Sequence, residues 1–214
     1  MNGIQFGNKH TYDDWELVLT NKALGLPTPK TSSIDVEGAD GTIDTSEVLA
    51  GEIKFNNRML EFEFTMTTPY DEFNELITEI ANYLHGKKLK IILDEDSDYY
   101  YYGRCQINQW SSDKRIGKIV ISCECEPYKY ALRDSVVSAT INGKTYVKVV
   151  GKRMTVTPII EVSNDMEIIV DGKSNQLYAG IENEILDLFI KEGVNTLVFN
   201  GNGEVKIKYK GGEL

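Results

Sequence analysis

Apolar and polar residues alternate with a period of two along much of the chain, and one stretch breaks that rhythm. Over Met59–Thr65, Leu60, Phe62 and Phe64 share one face while Glu61 and Glu63 share the other, the mark of a half-buried strand. Gly51–Met66 as a whole reads as a strand, a turn at Asn56-Asn57-Arg58 and a second strand. Leu89–Leu93, Tyr99–Trp110 and Lys118–Cys125 are three more strands, separated by turn chemistry at Asp94–Asp98 and Ser111–Gly117. The exception begins at Thr68-Pro69-Tyr70-Asp71. Pro69 suits a first helical turn, and Asp71 and Glu72 suit the positive end of a helix dipole. Phe73, Leu76, Ile77, Ile80, Ala81 and Leu84 then form one apolar stripe at helical spacing, and Gly86 is placed to close it.

Beyond Tyr130 the helical period does not return. Short strands are expected at Ser138–Ile141, Tyr146–Val150, Pro158–Val162, Glu167–Val170, Leu177–Ala179, Glu184–Phe189, Thr196–Asn200 and Val205–Tyr209. Asn142-Gly143, Asp171-Gly172 and Asn200-Gly201-Asn202-Gly203 supply turns between them. Ile185, Leu188 and Phe189 also fit a helical face, so a helix rivals the strand there, with strand preferred. The weakly patterned Ala131–Thr140 suggests a linker. The fold class expected is mainly β with one α-helix (α+β), as two domains: 1–132, a β-sandwich-like layer carrying the helix, and 133–214, a β-sandwich.

At 214 residues the chain is long enough for two cores. It has no apolar run of membrane-spanning length and no secretory signal, so it is expected to fold in the cytoplasm of the cell that makes it. The net charge of −10 is uneven. Residues 1–130 hold 13 Lys/Arg against 22 Asp/Glu, and residues 131–214 hold 10 against 11. Such an acidic surface repels phosphate backbones and argues against sequence-specific nucleic-acid binding, although it would suit a duct through which DNA passes without sticking.

Candidate chemistry is sparse. Cys105, Cys123 and Cys125 are read as buried strand residues, because His10 and His85 lack ligand spacing relative to them. Asp94–Asp98 could be an ion loop but lacks its glycine and its downstream glutamate, which favours a solvated turn. In the run Tyr99–Tyr102, alternate rings face opposite sides of a strand. One pair belongs to the core, and the other, Tyr100 and Tyr102, is free for a subunit interface, an exposed face or a ligand platform. No nucleophile motif or phosphate loop occurs, so the chain is expected not to be an enzyme and to need no cofactor or metal.

The opening segment is GIQFGNKHTYDDWELVLTNKALGLPTPKTSSIDVEGADGTIDTSEVLAG. It carries Trp15, Leu17, Leu19, Pro27, Lys30, Ile34, Val36, Gly38, Asp40, Gly41, Ile43 and Asp44 in a pattern that resembles the distal tail proteins of siphophages. ANYLHGKKLKIILDEDSDYYYYGRC and CECEPYKY extend the resemblance over most of residues 1–130, and it is similar to the prophage type of Gram-positive hosts. KEGVNTLVFNGNGEVKIKYKGGEL is similar to the closing hairpin of that family's outer domain.

The resemblance implies a structural part of the virion tail tip or baseplate. Six copies would ring a channel for DNA, joined to the major tail tube protein on one side and to a tail-associated baseplate or fibre protein on the other. The outer domain would be a galectin-like β-sandwich. Gly38-Ala39-Asp40-Gly41 signals a turn that projects a hairpin arm toward the next protomer. The expected subunit-interface residues are Val36, Gly38, Asp40, Gly41, Ile43, Tyr100 and Tyr102. The rival function is a host-glycan-binding module stacking sugars on Tyr146, Tyr178 or Tyr209.

Overall fold

The computed structural model describes residues 3–113 and 116–214. Lys114 and Arg115, within the turn expected at Ser111–Gly117, lie outside the described residues, as do Met1 and Asn2. The chain divides into two compact units, Met1–Lys129 with Leu214, and Tyr130–Glu213.

The first unit is built on antiparallel strands β1 (Ile4–Phe6), β2 (Lys9–His10), β3 (Leu17–Leu24), β6 (Arg58–Met66), β7 (Lys88–Leu93), β8 (Tyr99–Ser112) and β9 (Gly117–Cys125), in the order β2-β1-β7-β8-β9-β6-β3. A separate two-stranded ladder joins β4 (Ser33–Asp35) to β5 (Thr42–Asp44). Alternation in β6 is as the sequence predicts: Leu60, Phe62 and Phe64 are fully buried, and Met59 and Glu61 are exposed. Helix α1 (Phe73–Leu84) follows a short 3-10 turn at Tyr70–Glu72. It buries Phe73, Ile77, Ile80 and Leu84 in the same cluster as the sheet residues, with Leu76 partly buried beside them. Gly86 (φ 79°) ends it, its N–H donating to the Cys105 carbonyl at 2.8 Å. Trp15 locks α1 in place: its ring is edge-on to Tyr83 at 5.5 Å and its Nε1 donates to Glu79. Burying side chains of this size contributes about 1.5–3 kcal/mol each.

The segment before β6 departs from expectation. Residues 51–57 form no strand and keep only an isolated bridge between Pro29 and Phe55. Arg58, read as a turn residue, instead opens β6 and is 3% exposed.

Strand β10 (Lys129–Ala131) spans the division, with Lys129 in the first unit, and the second unit contains β11 (Ser135–Gly151), β12 (Ile159–Val162), β13 (Met166–Val170), β14 (Lys173–Leu177), β15 (Asn183–Glu184), β16 (Gly193–Tyr209) and β17 (Gly212–Glu213). Strands β11 and β16 pair in unbroken register from Ser135↔Tyr209 to Gly151↔Gly193. This corrects two expectations. Ser138–Ile141 and Tyr146–Val150 are one strand, as are Thr196–Asn200 and Val205–Tyr209, and the linker expected over 131–140 is largely strand. The reason is that Asn142-Gly143 faces Gly201-Asn202 across the ladder, so glycine chemistry that could have reversed the chain bends both strands together. Gly201 has φ 151°, and a Cβ there would lie 2.5 Å from the Met166 Cβ. The two halves of β16 serve different neighbours, β13 pairing with 198–200 and β12 with 205–208. Leu197, Phe199, Val205 and Ile207 nevertheless join one core cluster.

Asp171 (φ 49°) and Gly172 (φ 77°) make the tight β13–β14 turn that the sequence predicts. Residues 177–179 mostly follow β14 rather than form a strand. Glu184–Phe189 is neither strand nor helix beyond Glu184: Leu188 N–H reaches back to the Ile185 carbonyl in a turn that buries Leu188 and leaves Leu186 and Phe189 exposed. Buried Asn183 ties this region together, its Nδ2 donating to the carbonyls of Ile160, Tyr178 and Ile181.

Candidate functional site

Residues 31–53 contain Asp35, Glu37, Asp40, Asp44, Glu47 and Glu52 and no lysine or arginine. At their centre β4 and β5 form a hairpin in which Ile34 faces Ile43. Both side chains are more than half exposed. At the tip, Ala39 N–H donates to the Val36 carbonyl, and Gly38 (φ 85°) turns in open space, with nothing near the position of a Cβ. Val36, Gly38, Asp40, Gly41 and Ile43 are all exposed. An apolar ladder with no cover from its own unit is costly in water unless something else covers it.

The base of this arm is fastened by polar groups. Ser32 N–H donates to Ser46 Oγ at 2.9 Å, and Thr45 N–H donates to the Ser32 carbonyl at 2.8 Å. The Ser46 hydroxyl and N–H both donate to Asp44 and hold its carboxyl below the usual range. Below the base, the two legs exchange backbone bonds, Lys30 to Lys54 and Asn56 to Thr28. They are rooted by Arg58, whose Nε donates to the Gly25 carbonyl at 2.8 Å and whose Nη1 reaches the Pro127 carbonyl at 3.4 Å. Sequence reasoning missed Arg58 because a charged residue beside Asn56-Asn57 reads as a solvated turn. Past Asp44, one further turn displays Val48 and Leu49, the latter fully exposed.

The four tyrosines open β8, and each carries a cation over its ring: Lys129 over Tyr99 at 4.4 Å, Lys90 over Tyr100 at 4.9 Å, Arg58 over Tyr101 at 5.0 Å and Lys88 over Tyr102 at 4.5 Å. Tyr101 belongs to the core, and burial raises its hydroxyl above the usual tyrosine value. Tyr100 and Tyr102 lie on the opposite face, outside the core cluster, as alternation requires. Tyr100 is already largely covered, at 9% exposure.

The remaining candidates are occupied structurally. Asp94 accepts from Gly3 N–H at 2.7 Å and lies 3.2 Å from His10 Nε2, Glu95 pairs with Lys22, and Asp96 pairs with Lys129 at 2.8 Å. Among the described residues no group of three or more His, Cys, Asp and Glu is placed to hold a metal ion. Cys105, Cys123 and Cys125 are buried and unbridged. Of the three tyrosines proposed for sugar stacking, Tyr209 is buried with its hydroxyl donating to the Val150 carbonyl, which removes it from that role. Tyr146 and Tyr178 are exposed. Neither lines the open cleft of about 400 Å³ formed by Ser138, Thr140, Glu161, Ser163, Glu204 and Lys206.

No protein-family model matches the chain, and no curated protein matches it in sequence. Among solved structures, it shares the fold of the SPP1 Dit (gp 19.1) protein, a paradigm of the hub adsorption apparatus in phages that infect Gram-positive bacteria. The TM-score is 0.71 at 15% identity, over 98% of this chain and 99% of that one. The conserved protein PA5104 of Pseudomonas aeruginosa PAO1 aligns with a TM-score of only 0.28 at 10% identity, over 90% of this chain and all of that one, and carries no argument.

Proposed function

We propose that this chain is a distal tail protein: a structural subunit of the tail-tip hub of a phage that infects a Gram-positive host, and not a catalyst. One observation carries the reading above the others, the end-to-end likeness to a hub protein of an adsorption apparatus. The likeness spans both units, so it concerns the whole architecture. The polar fastening at the base of an otherwise uncovered arm supports the same reading, since it preorganises a segment for which its own unit offers no packing surface.

On this reading residues 1–132 build the ring and residues 133–214 form an outer, galectin-like β-sandwich. Six copies surround a channel through which DNA passes. Val36, Gly38, Asp40, Gly41 and Ile43 reach the adjacent protomer, and Tyr100 and Tyr102 lie at the subunit boundary. The neighbours along the tail are the major tail tube protein and a tail-associated baseplate or fibre protein. A head-to-tail contact of this kind closes into a ring when its rotation allows, and a persuasive interface buries about 1,000 Å² or more. Electron microscopy of the purified full chain tests this. Six-fold particles with a central opening are expected, and particles without an opening would contradict it.

A further inference from the structure

Three buried thiols sit in the core of the first unit, and the proposed function uses none of them. Cys105 in β8 stands directly opposite Cys123 in β9, and Gly103 stands opposite Cys125. The backbone shows which kind of pair the first is. Cys105 N–H donates to the Lys87 carbonyl at 2.9 Å, and its carbonyl accepts from Gly86 N–H at 2.8 Å. Both groups point toward the segment that leads into β7 and away from β9, so Cys105 and Cys123 are a non-hydrogen-bonded pair. In such a pair the Cα atoms are about 4.5 Å apart and the side chains approach closely, within the reach of a disulfide. The two sulfurs are already 3.3 Å apart. Cys125 is differently placed. A Cβ on Gly103 would lie 2.4 Å from its sulfur, so this thiol fills the space that a glycine leaves and faces no thiol across the ladder. It meets Cys105 only diagonally, at a Cα separation of about 7–8 Å, too far for a bond without moving the backbone.

We propose that Cys105 and Cys123 are an oxidation site, which a peroxide converts into a cross-strand disulfide while Cys125 stays a free thiol. One sulfur, as thiolate, attacks a peroxide oxygen; the O–O bond breaks, and a sulfenic acid and one water result. The second sulfur then attacks the sulfenic sulfur, the S–S bond forms and a second water leaves. Two thiols and one peroxide thus give one disulfide and two waters, each sulfur losing one electron and the peroxide taking both. Cys105 and Cys123 are fully buried, which restricts the oxidant to one as small as a peroxide. The hydrogen bond to Cys105 and burial raise the Cys123 thiol, so thiolate is scarce and the step is slow. A reducing cytoplasm keeps such a pair as thiols, and an oxidising medium does not. The tail-hub reading supplies the change of medium, because a virion leaves the cell that made it. Only that occasion rests on the reading; the chemistry does not.

The test treats the native full chain with hydrogen peroxide, unfolds it in N-ethylmaleimide and maps the peptides by mass without reduction. Met59, which is 52% exposed, serves as the internal clock, because its sulfoxide shows that the peroxide has acted. The expected product is a peptide pair joined through Cys105 and Cys123, released by dithiothreitol, with Cys125 alkylated. Cys125→Ala should form the same link, and Cys123→Ser should form none. Amides of β8 and β9 should exchange more slowly in the oxidised protein than in the reduced one. Complete conversion of Met59 with Cys105 and Cys123 both still alkylated would overturn the proposal, as would a disulfide that contains Cys125. Neither failure touches the ring reading, which the mass of the assembled protein in reductant reads separately.

Discussion

The guanidinium of Arg58 lies 5.0 Å from the ring centroid of Tyr101, and the same side chain holds the carbonyl of Gly25. One buried cation thus links the tyrosine run to the first leg of the arm. Arg58→Met keeps the bulk but leaves the Gly25 and Pro127 carbonyls without this donor. The loss should be about 2–4 kcal/mol, read from denaturant midpoints, and the arm legs should exchange amide hydrogens faster. A variant as stable as the parent would show that the anchor is dispensable.

Helix α1 gives a sharper test of packing. Ile80 is fully buried in the core cluster with Leu84 and the sheet residues. Ile80→Asp places an unpaired charge there and should cost on the order of 4 kcal/mol or more, or abolish soluble expression. Leu76→Asp, at a partly buried position of the same stripe, should be the milder change. Equal effects would mean that the stripe is not buried as described.

The helix and β6 were legible because each has a clean period over several residues, 3.6 in Phe73–Leu84 and 2 in Met59–Thr65. The Asp171-Gly172 turn was legible from its dipeptide. The long β11–β16 ladder was not, because Asn142-Gly143 and Asn200–Gly203 carry the same local signal whether a chain reverses or two paired strands bend together. Only the partner strand decides, and it lies some 60 residues away in sequence (Gly143↔Gly201). Glu184–Phe189 was misread because Ile185 and Leu188 suit either period, whereas the backbone there turns to bury Leu188. Of the arm, the tip was visible in Gly38–Gly41. Its anchor was not, since Arg58 and Tyr101 are distant in sequence and nothing local marks an arginine as buried.

The arm should also be the first place a protease cuts. Residues 31–44 and 47–51 are exposed, whereas 135–151 is a paired strand. Brief digestion of dilute protein with a broad-specificity protease should cleave first within residues 36–51 and spare 135–151. Concentrating the protein should slow that cleavage as neighbouring copies cover the arm. First cuts within 135–151 would contradict the continuous ladder.

Buried thiols make stability fall at alkaline pH. Burial pushes Cys125 up to about 12, and Cys123 is raised by its hydrogen bond to the Cys105 sulfur, 3.3 Å away, and by burial. Above pH 9, near the ordinary thiol value of 9.0, the unfolded chain releases these protons while the folded chain keeps them. Each such thiol then removes up to about 1.4 kcal/mol per pH unit, continuing for Cys125 until about pH 12. Denaturation midpoints between pH 8 and 11 should show this decline, and Cys125→Ala should flatten it. Identical slopes for parent and variant would exclude Cys125 as a source.

The central claim is that identical chains close into a ring, and native mass measurement of the full chain across concentration tests it most directly. With a 24.2 kDa chain the account predicts a discrete species of six copies, about 145 kDa, that persists at micromolar protein and falls toward monomer when Glu37–Asp44 is replaced by a Gly-Ser bridge. A chain that stays at 24.2 kDa at every concentration, with or without the arm, would contradict it.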